Sequence, residues 1–213
     1  MPAFDPDCRA CPRLAGFLDD IKQQYPDYHC RPVAAFGDDN PDLLIVGLAP
    51  GMHGANATGR PFTGDFAGVL LFETLFKTGF ANQPDSAHLN DGLTLINCKI
   101  TNAVKCLPPQ NKPVGAEINQ CNAFLKTELQ ALSGHKILMA LGSIAHNAIL
   151  KALGLRQADY KFGHAVEHQL PDDYTLIDSY HCSRYNTQTK RLTTEMFEMV
   201  FERARELTSK MIN

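Results

Sequence analysis

Cysteines are the side chains whose type and spacing most suggest chemistry, with seven in a chain of 213 residues. Cys8 and Cys11 are separated by two residues, and fourteen residues separate Cys106 from Cys121. Two closely spaced thiolates and two more from elsewhere can hold a tetrahedral zinc ion or a [4Fe–4S] cluster, and spacing alone does not choose between them. Pro12 and the proline pair after Cys106 predict non-helical loops around these thiols.

A glycine-rich segment is the second candidate, because residues 47–68 hold six of the fifteen glycines. Glycine lets a backbone approach a planar ligand closely. The segment matches neither the phosphate-binding loop of nucleotide triphosphatases nor a dinucleotide-binding fingerprint, so a nucleotide cofactor is not indicated. Phe62 near Asp65 is typical of an aromatic stacking plane beside a carboxylate.

A third segment, residues 181–192, begins with His181 and continues with hydroxyl and amide side chains. Such polar groups, followed by the start of a helix, can contact phosphates. The segment alone leaves another interpretation open, which is a plain loop with Thr189 as the N-cap of the next helix.

The elements that must position these segments follow from hydrophobic patterning. Short apolar runs predict buried strands at residues 43–48, 93–97, 136–141 and 175–179, and helical periodicity appears at residues 66–79, 115–132, 143–153 and 191–207. Strands that alternate with helices predict a single α/β domain over residues 1–213: a three-layer α/β/α sandwich around a mainly parallel four-stranded sheet. Ligands of such sheets bind at the carboxyl ends of the strands, where the second and third segments begin.

Composition narrows the class of protein. Hydrophobic residues make up 44% and charged residues 20%, which is ordinary for a globular chain, and no apolar run reaches the length of about 20 residues that a membrane span needs. The first twelve residues lack the pattern of a signal peptide, so we expect a cytoplasmic protein with no membrane partner. The net charge is −3, but residues 99–136 hold five lysines against two glutamates and residues 181–213 six cations against four glutamates. A local surface for an anionic ligand is therefore compatible with the charge.

Together the three segments resemble the uracil-DNA glycosylase superfamily, and most closely its iron–sulfur branch, called family 5 or type b. The first motif reads GLAPG and then GANATGRPFTGD between Gly47 and Asp65. The second reads TNAVKCLPPQNKP from Thr101 to Pro113, and the third reads HCSRYNTQT from His181 to Thr189.

The resemblance implies a DNA-repair hydrolase that cleaves the N-glycosidic bond of uracil in DNA and leaves an abasic site, with hypoxanthine and xanthine as further candidate bases. It implies catalytic roles for Asp65, Asn102 and His181. The implied substrate-binding residues are Gly51, Phe62, Asn102, Ser183 and Asn186. The candidate DNA contacts are Arg60, Arg184, Thr187, Lys190 and Arg191. A [4Fe–4S] cluster would be held by Cys8, Cys11, Cys106 and Cys121.

The expected partner is DNA containing deaminated bases, bound by a monomer associated with the nucleoid. The chain departs from the family pattern at Ala57, Phe66 and Cys182. These departures leave open a non-catalytic Fe–S protein on the same fold that binds nucleic acid or senses redox state. A hydrolase with catalytic zinc is weakly supported, because no paired histidine or His–Glu ligand spacing accompanies the cysteines.

Overall fold

The computed structural model describes residues 4–210, which form a six-stranded sheet covered by helices. In chain order the strands are β1 (Phe36–Gly37), β2 (Leu43–Gly47), β3 (Cys98–Asn102), β4 (Lys136–Leu141), β5 (Glu167–Leu170) and β6 (Tyr174–Ser179). The helices are α1 (Pro12–Gln24), α2 (Ala55–Thr58), α3 (Phe66–Lys77), α4 (Gly115–Gln130), α5 (Ser143–Ala152), α6 (Arg184–Gln188) and α7 (Thr194–Lys210).

The sheet has the strand order β1-β3-β2-β4-β6-β5. Its four central strands run parallel, which confirms the predicted core, and an antiparallel strand flanks them at each edge. The predicted number of four strands was therefore too small. Strand β1 has only two residues and β5 reads Glu-His-Gln-Leu, so neither edge strand contains an apolar run that the pattern would detect.

Strand β3 is the second of the four predicted strands. It begins at Cys98, whereas the apolar run predicted a strand over residues 93–97. Asn97 has a left-handed backbone with φ of +53°, which breaks an extended run. Its side-chain oxygen accepts a hydrogen bond from the backbone N–H of Asp42 at 2.8 Å. Asp42 directly precedes β2, so this neighbouring strand holds the turn at Asn97 in place. Leu95 is buried but forms only an isolated bridge with Ala81.

Helices cover both faces of the sheet, as the predicted three-layer sandwich requires. Alternate residues of β2 point to opposite faces: Leu43 and Ile45 pack with residues of α3 and α7, and Leu44 and Val46 pack with residues of α4 and α5. Because both faces are buried, the central strands are continuous apolar runs rather than alternating ones.

Helix α1 was not predicted, and it overturns the expectation of a non-helical stretch after Cys11. Pro12 occupies the first helical position, where its missing N–H has no intrahelical partner to lose and its fixed φ favours the helix. Leu14, Leu18 and Ile21 form its buried face. Between residues 4 and 210, no helix is both long and apolar enough to cross a membrane.

Candidate active site

A cavity of about 470 Å³ opens where β2, β4 and β6 end, at the edge of the sheet where a ligand was expected. Its walls come from the loop after β2, the turn between β4 and α5, and the segment after β6. The sequence-predicted residues that line it are Gly51, Phe62, Asp65, His181, Ser183, Arg184, Asn186 and Arg191. The first and third motifs therefore meet around one cavity.

Asp65 is held by the start of α3, for which it is the N-cap. Its Oδ1 accepts a hydrogen bond from the backbone N–H of Gly68 at 2.8 Å. Its Oδ2 is turned toward Gly51, where an added Cβ would lie 3.4 Å from that oxygen. Burial raises the pKa of Asp65, although hydrogen bonds from backbone N–H groups oppose the rise. The helix thus fixes one carboxylate oxygen and leaves the other beside the cavity.

Phe62 and His181 form the aromatic part of the cavity wall, with ring centroids 6.0 Å apart and planes inclined by 26°. Phe62 has a left-handed φ of +58°, which costs a bulky residue on the order of 1–3 kcal/mol, and the surrounding packing holds it there. Burial lowers the pKa of His181 to about 4. The imidazole is therefore neutral at neutral pH and offers one N–H donor, and no group within residues 4–210 hydrogen-bonds to its Nδ1.

Asn102 lies behind the cavity wall rather than on it. Its side chain and the ring of Phe62 meet at Gly47, where an added Cβ would lie 2.7 Å from Cζ of Phe62 and would collide with Oδ1 of Asn102. Asn102 is buried at the end of β3, and no described group bonds to its Oδ1. A buried acceptor without a partner costs about 1–3 kcal/mol, so this oxygen is suited to receive a ligand's donor.

The third motif folds back on itself through α6. Ser183 is the N-cap, with its Oγ accepting from the backbone N–H of Asn186 at 3.4 Å. The side-chain amide of Asn186 donates to the carbonyl oxygen of His181 at 2.8 Å. Thr187 donates its hydroxyl to the carbonyl oxygen of Ser183. The alternative with Thr189 as an N-cap is wrong, because Thr189 stands at the C-terminal end of α6.

Cationic side chains surround the mouth of the cavity. The guanidinium of Arg184 lies 4.9 Å from the ring centroid of Phe66, and that of Arg191 lies 4.6 Å from the ring centroid of Tyr180. Both arginines and Lys190 are exposed. The aromatic rings hold the two guanidinium groups at the rim while their donors stay available to an anion.

Arg60 does not belong to this rim, which corrects its prediction as a DNA contact. Its side chain is only 2% exposed and forms an ion pair with Asp91. It also donates to the hydroxyl groups of Thr63 at 2.8 Å and Ser86 at 2.7 Å. Its guanidinium holds loops of the protein together, and it cannot reach a nucleic acid without leaving these partners.

Other cavity residues were missed by sequence reasoning, namely Phe66, Asn111, Phe162 and Tyr180. Phe66 and Tyr180 adjoin Asp65 and His181 in sequence, so their position next to a candidate site residue was a usable signal. Phe162 and Asn111 come from separate loops that only the fold brings together. On α6, Tyr185 is also 70% exposed beside Arg184, an unusual placement for an aromatic ring.

The predicted cysteine ligands come together in a second, small cavity lined by Cys8, Cys11, Cys106 and Cys121. Among the described residues, no three of these thiols form a group placed to hold a metal ion. A tetrahedral zinc ion with bonds of about 2.3 Å would hold its sulfur ligands about 3.8 Å apart. The thiols would have to move to hold a metal centre, so their arrangement chooses neither zinc nor a cluster.

The thiols also need a positive charge between them if they are to ionise. Burial raises the pKa of Cys106 to about 12 and that of Cys121 to about 11, and the neighbouring thiolates contribute to both shifts. A bound metal centre deprotonates coordinating thiols outright. The backbone N–H of Lys105 lies 3.2 Å from the sulfur of Cys121, so a donor is already aimed at this ligand.

One ion pair fastens the two halves of the cysteine site. Arg13, two residues after Cys11, donates from Nε and Nη2 to both carboxylate oxygens of Glu117, each at 2.7 Å. Glu117 also accepts from the backbone N–H of Val114 and so caps α4, which carries Cys121. The pair thereby joins α1 to α4 beside the thiols.

Comparison with known proteins gives the family. The family model for the Uracil DNA glycosylase superfamily matches residues 34–205. The chain belongs to this superfamily. Superfamily membership agrees with the α/β fold and with the cavity residues, all of which lie within the matched range, whereas Cys8 and Cys11 precede it.

Curated relatives cover more of the chain than the family model does. A protein of Thermus thermophilus named Type-5 uracil-DNA glycosylase is 42% identical over 94% of this chain and 93% of its own length. A protein of the same name from Pyrobaculum aerophilum is 41% identical over 93% of this chain and 88% of its own length. A Type-4 uracil-DNA glycosylase of Pyrobaculum aerophilum is 34% identical over 61% of this chain. The similarity is therefore broader in extent to the Type-5 proteins.

Proposed function

We propose that this chain is a DNA glycosylase that hydrolyses the bond between uracil and deoxyribose in DNA. The observation that carries the proposal is the meeting of Asp65, Phe62 and His181 around one cavity at the carboxyl edge of the sheet. Relatives named uracil-DNA glycosylases align over almost the whole chain, which supports the same reaction.

The cavity supplies what such a hydrolysis needs. The base must leave the duplex stack, and the ring of Phe62 offers a face on which it stacks. As the bond to the sugar breaks, positive charge develops on deoxyribose, and the carboxylate of Asp65 stabilises it and orients the attacking water. Negative charge develops on the departing base, and the neutral imidazole of His181 donates a hydrogen bond to it.

Recognition of the base falls to groups around this centre. Asn102 has a buried oxygen without a described partner behind Phe62, and a shift of that ring would let it read an edge of the base or hold the water. Gly51 leaves the floor of the cavity open, and Ser183 and Asn186 complete its side. A cavity of about 470 Å³ has room for purines, so hypoxanthine and xanthine remain candidate substrates beside uracil.

The rim binds the DNA backbone. Arg184, Arg191 and Lys190 provide exposed cations, and Thr187 lies between them on α6. Phosphate contacts of this kind set affinity and orientation without reading sequence. Tyr185, the exposed aromatic ring on the same helix, is placed to fill the space that a displaced base leaves in the stack.

The four-cysteine site is proposed to hold a [4Fe–4S] cluster. The four cysteines line one small cavity, and four thiolates are the ligand set of such a cluster. When bound, the cluster supplies a structural crosslink between the N-terminal segment and the segment from Cys106 to Cys121. That segment also contributes Asn111 to the active-site cavity, so the crosslink steadies part of its rim.

The proposal includes a monomeric enzyme. An enzyme that repairs DNA must reach it, so the proposal places the protein in the cytoplasm at the nucleoid. Size-exclusion chromatography with light scattering should give the mass of a single chain.

The central test is release of uracil from a uracil-containing oligonucleotide. Asp65→Asn is the sharper variant than Asp65→Ala, because asparagine keeps the helix cap while it removes the carboxylate. We expect Asp65→Asn and His181→Ala each to slow release by about 100-fold or more. Arg9→Ala, which alters an exposed residue of the N-terminal segment, should leave release unchanged. Wild-type protein that binds uracil-containing DNA but releases no base would instead identify a non-catalytic binding protein.

The cluster has its own test. Purified protein should contain about four iron atoms and acid-labile sulfide, with a visible thiolate-to-iron absorption band that Cys106→Ser abolishes. A colourless protein with one zinc ion per chain would contradict the cluster assignment.

A further inference from the structure

A buried ion pair lies directly behind the active-site cavity. Nδ1 of His146 on α5 is 2.8 Å from Oδ1 of Asp178 on β6, and both side chains are at least 99% buried. Nε2 of His146 is 3.0 Å from the carbonyl oxygen of Tyr160. Neither residue lines the cavity or has a part in the proposed reaction.

The two contacts of His146 determine where its protons are. A carbonyl oxygen can only accept, so Nε2 carries a proton and donates it to Tyr160. A neutral imidazole would then turn the lone pair of Nδ1 toward a carboxylate, which also only accepts. The contact with Asp178 is favourable when Nδ1 carries a proton too. Burial disfavours that charge, but the hydrogen bond and the charge of Asp178 outweigh it and raise the pKa of His146.

The pair joins three segments that form the rear of the cavity. The first is the start of α5, where Gly142, Ser143 and Ile144 line the cavity. The second is the loop over residues 160–166, which accepts from His146 through Tyr160 and donates from the backbone N–H of Gly163 to Oδ2 of Asp178 at 3.3 Å.

The third segment is the end of β6, which leads from Asp178 to Tyr180 and His181. The ring of Phe162, on the second segment, packs edge-on against His146 with centroids 5.7 Å apart and lies 6.2 Å from the ring of Tyr180. Both Phe162 and Tyr180 line the cavity. The position of the rear wall therefore depends on contacts that converge on one pair.

We propose that His146 and Asp178 are positioning residues: their ion pair fixes Phe162 and the segment carrying His181, and so sets how well the cavity aligns an extruded base. This proposal rests on the proposed glycosylase function. Misplacement of a reacting group by about 1 Å can cost on the order of 100-fold in rate, so a device that holds this wall has a measurable catalytic effect.

Other titratable groups lie near the pair, and they raise a competing assignment, which is a metal site. His168 on β5 brings Nε2 to 3.6 Å from Oδ2 of Asp178, and no group in the described part of the chain bonds to that nitrogen. His164 accepts at Nδ1 from the backbone N–H of Tyr180 at 3.2 Å. The ligand atoms of His146, His168 and Asp178 lie within 4.8 Å of one another, a set that could also hold a metal ion. The distance of 2.8 Å between Nδ1 and Oδ1 is that of a hydrogen bond, which favours a proton between them.

Two variants separate positioning from simple loss of packing. His146→Ala removes all contacts, and we expect kcat/KM for uracil release to fall about tenfold or more. Asp178→Asn is isosteric: its amide can donate to Nδ1 of a neutral His146 while its oxygen still accepts from Gly163. We expect this conservative variant to keep most of the activity. Tyr174→Phe is the matched control, because it removes a buried hydrogen bond to the carbonyl oxygen of Leu129 at the opposite end of β6.

A loss of packing alone would not change the pH dependence of the reaction, so the pH dependence tests the ion pair. The ion pair is intact while His146 is protonated and is lost as pH rises through its raised pKa. We therefore expect KM of wild-type protein to rise toward alkaline pH and KM of Asp178→Asn to stay level. The chain contains no tryptophan, so Phe162→Trp gives a single fluorescent reporter of the wall, whose emission should titrate over the same pH range.

The outcomes are distinct. If wild-type protein releases no base, the proposed function fails, while the emission of Phe162→Trp still tests whether the pair holds the wall. If wild-type protein is active but His146→Ala matches Tyr174→Phe in kcat/KM and in pH profile, the positioning proposal is wrong. One equivalent of zinc in wild-type protein that is lost in His168→Ala would overturn it in favour of a metal site.

Discussion

Gly54 lies directly against Asp65: a Cβ at Gly54 would be 2.5 Å from Cβ and 2.8 Å from Oδ2 of Asp65. Protein atoms do not approach so closely, so Gly54→Ala must displace the carboxylate or the loop after β2. We expect this variant to fold, to bind DNA and to release uracil about 100-fold more slowly, because the carboxylate no longer faces the sugar correctly. Single-turnover kinetics with saturating enzyme measures this directly.

Gly16→Ala is the matched control for Gly54→Ala. Gly16 is an exposed residue within α1, and an added Cβ there meets nothing within 4 Å. Alanine should raise helix stability by about 1 kcal/mol and leave uracil release unchanged. Equal activity of the two variants would show that the contact with Asp65 is not needed for its orientation.

The pH profile of kcat/KM should be governed by Asp65 at its acid end. Burial raises the pKa of this carboxyl above its ordinary value near 3.9, and only the carboxylate stabilises the sugar cation. Activity should therefore fall as pH drops through that raised pKa. His181, with a pKa lowered to about 4, stays neutral from pH 6 to 8 and should produce no titration there.

Variants of the two residues assign this acid limb. His181→Asn should lower the rate at every pH without moving the limb on the pH axis. Because the pair of His146 and Asp178 titrates in wild-type protein, the test of His181 uses Asp178→Asn. A kcat/KM profile of Asp178→Asn that still rises as pH falls from 8 to 6 would mean that a protonated His181 is the active form, contrary to its burial.

Sequence reasoning identified several of the residues that line the cavity, because they follow strand ends. Asp65 and His181 lie in loops after β2 and β6, and parallel strands bring those loops to one edge. Asn102 was found by its position at the end of a strand, but its burial behind Phe62 depends on the contact at Gly47. Arg60 was misassigned because its partner, Asp91, is distant in sequence and carries no local pattern.

The elements with a strong hydrophobic pattern were predicted correctly. The elements whose position depends on a neighbouring strand or on a single residue were missed. The central parallel strands are apolar on both faces, so their runs stand out. Edge strands β1 and β5 form because β3 and β6 present free edges, and their own sequences carry no signal. The left-handed turn at Asn97 depends on Asp42, which lies 55 residues earlier in the chain. The local sequence pattern around residue 97 therefore does not reveal it.

Arg60 and Arg184 should differ in what their loss does. Arg60→Ala leaves the buried carboxylate of Asp91 without its cation, and breaking such a pair typically costs about 3–5 kcal/mol of stability. Arg184→Ala removes an exposed cation beside Phe66 and should leave thermal stability nearly unchanged. Thermal unfolding followed by circular dichroism distinguishes the two variants.

In DNA binding the order of the two variants should be reversed, with the larger effect for Arg184→Ala. If Arg184 contacts a phosphate, Arg184→Ala weakens binding at low salt and lowers the slope of log K against log salt by about one. Arg60→Ala, measured below its unfolding temperature, should retain the wild-type slope. A reduced slope for Arg60→Ala would place Arg60 on the DNA surface after all.

Arg13 should control retention of the proposed cluster, although it is not one of the proposed ligands. Its two hydrogen bonds to Glu117 join α1, which follows Cys11, to α4, which carries Cys121. Without them the N-terminal pair of thiols is free to separate from the other pair, so Arg13→Ala should lose iron faster to a chelator than wild-type protein. Arg9→Ala is the matched control, because Arg9 pairs with Asp19 on the solvent side of the same helix. Iron release followed by visible absorbance should be accelerated only in Arg13→Ala; equal rates for the two variants would show that the thiols and their cluster hold α1 in place without the ion pair.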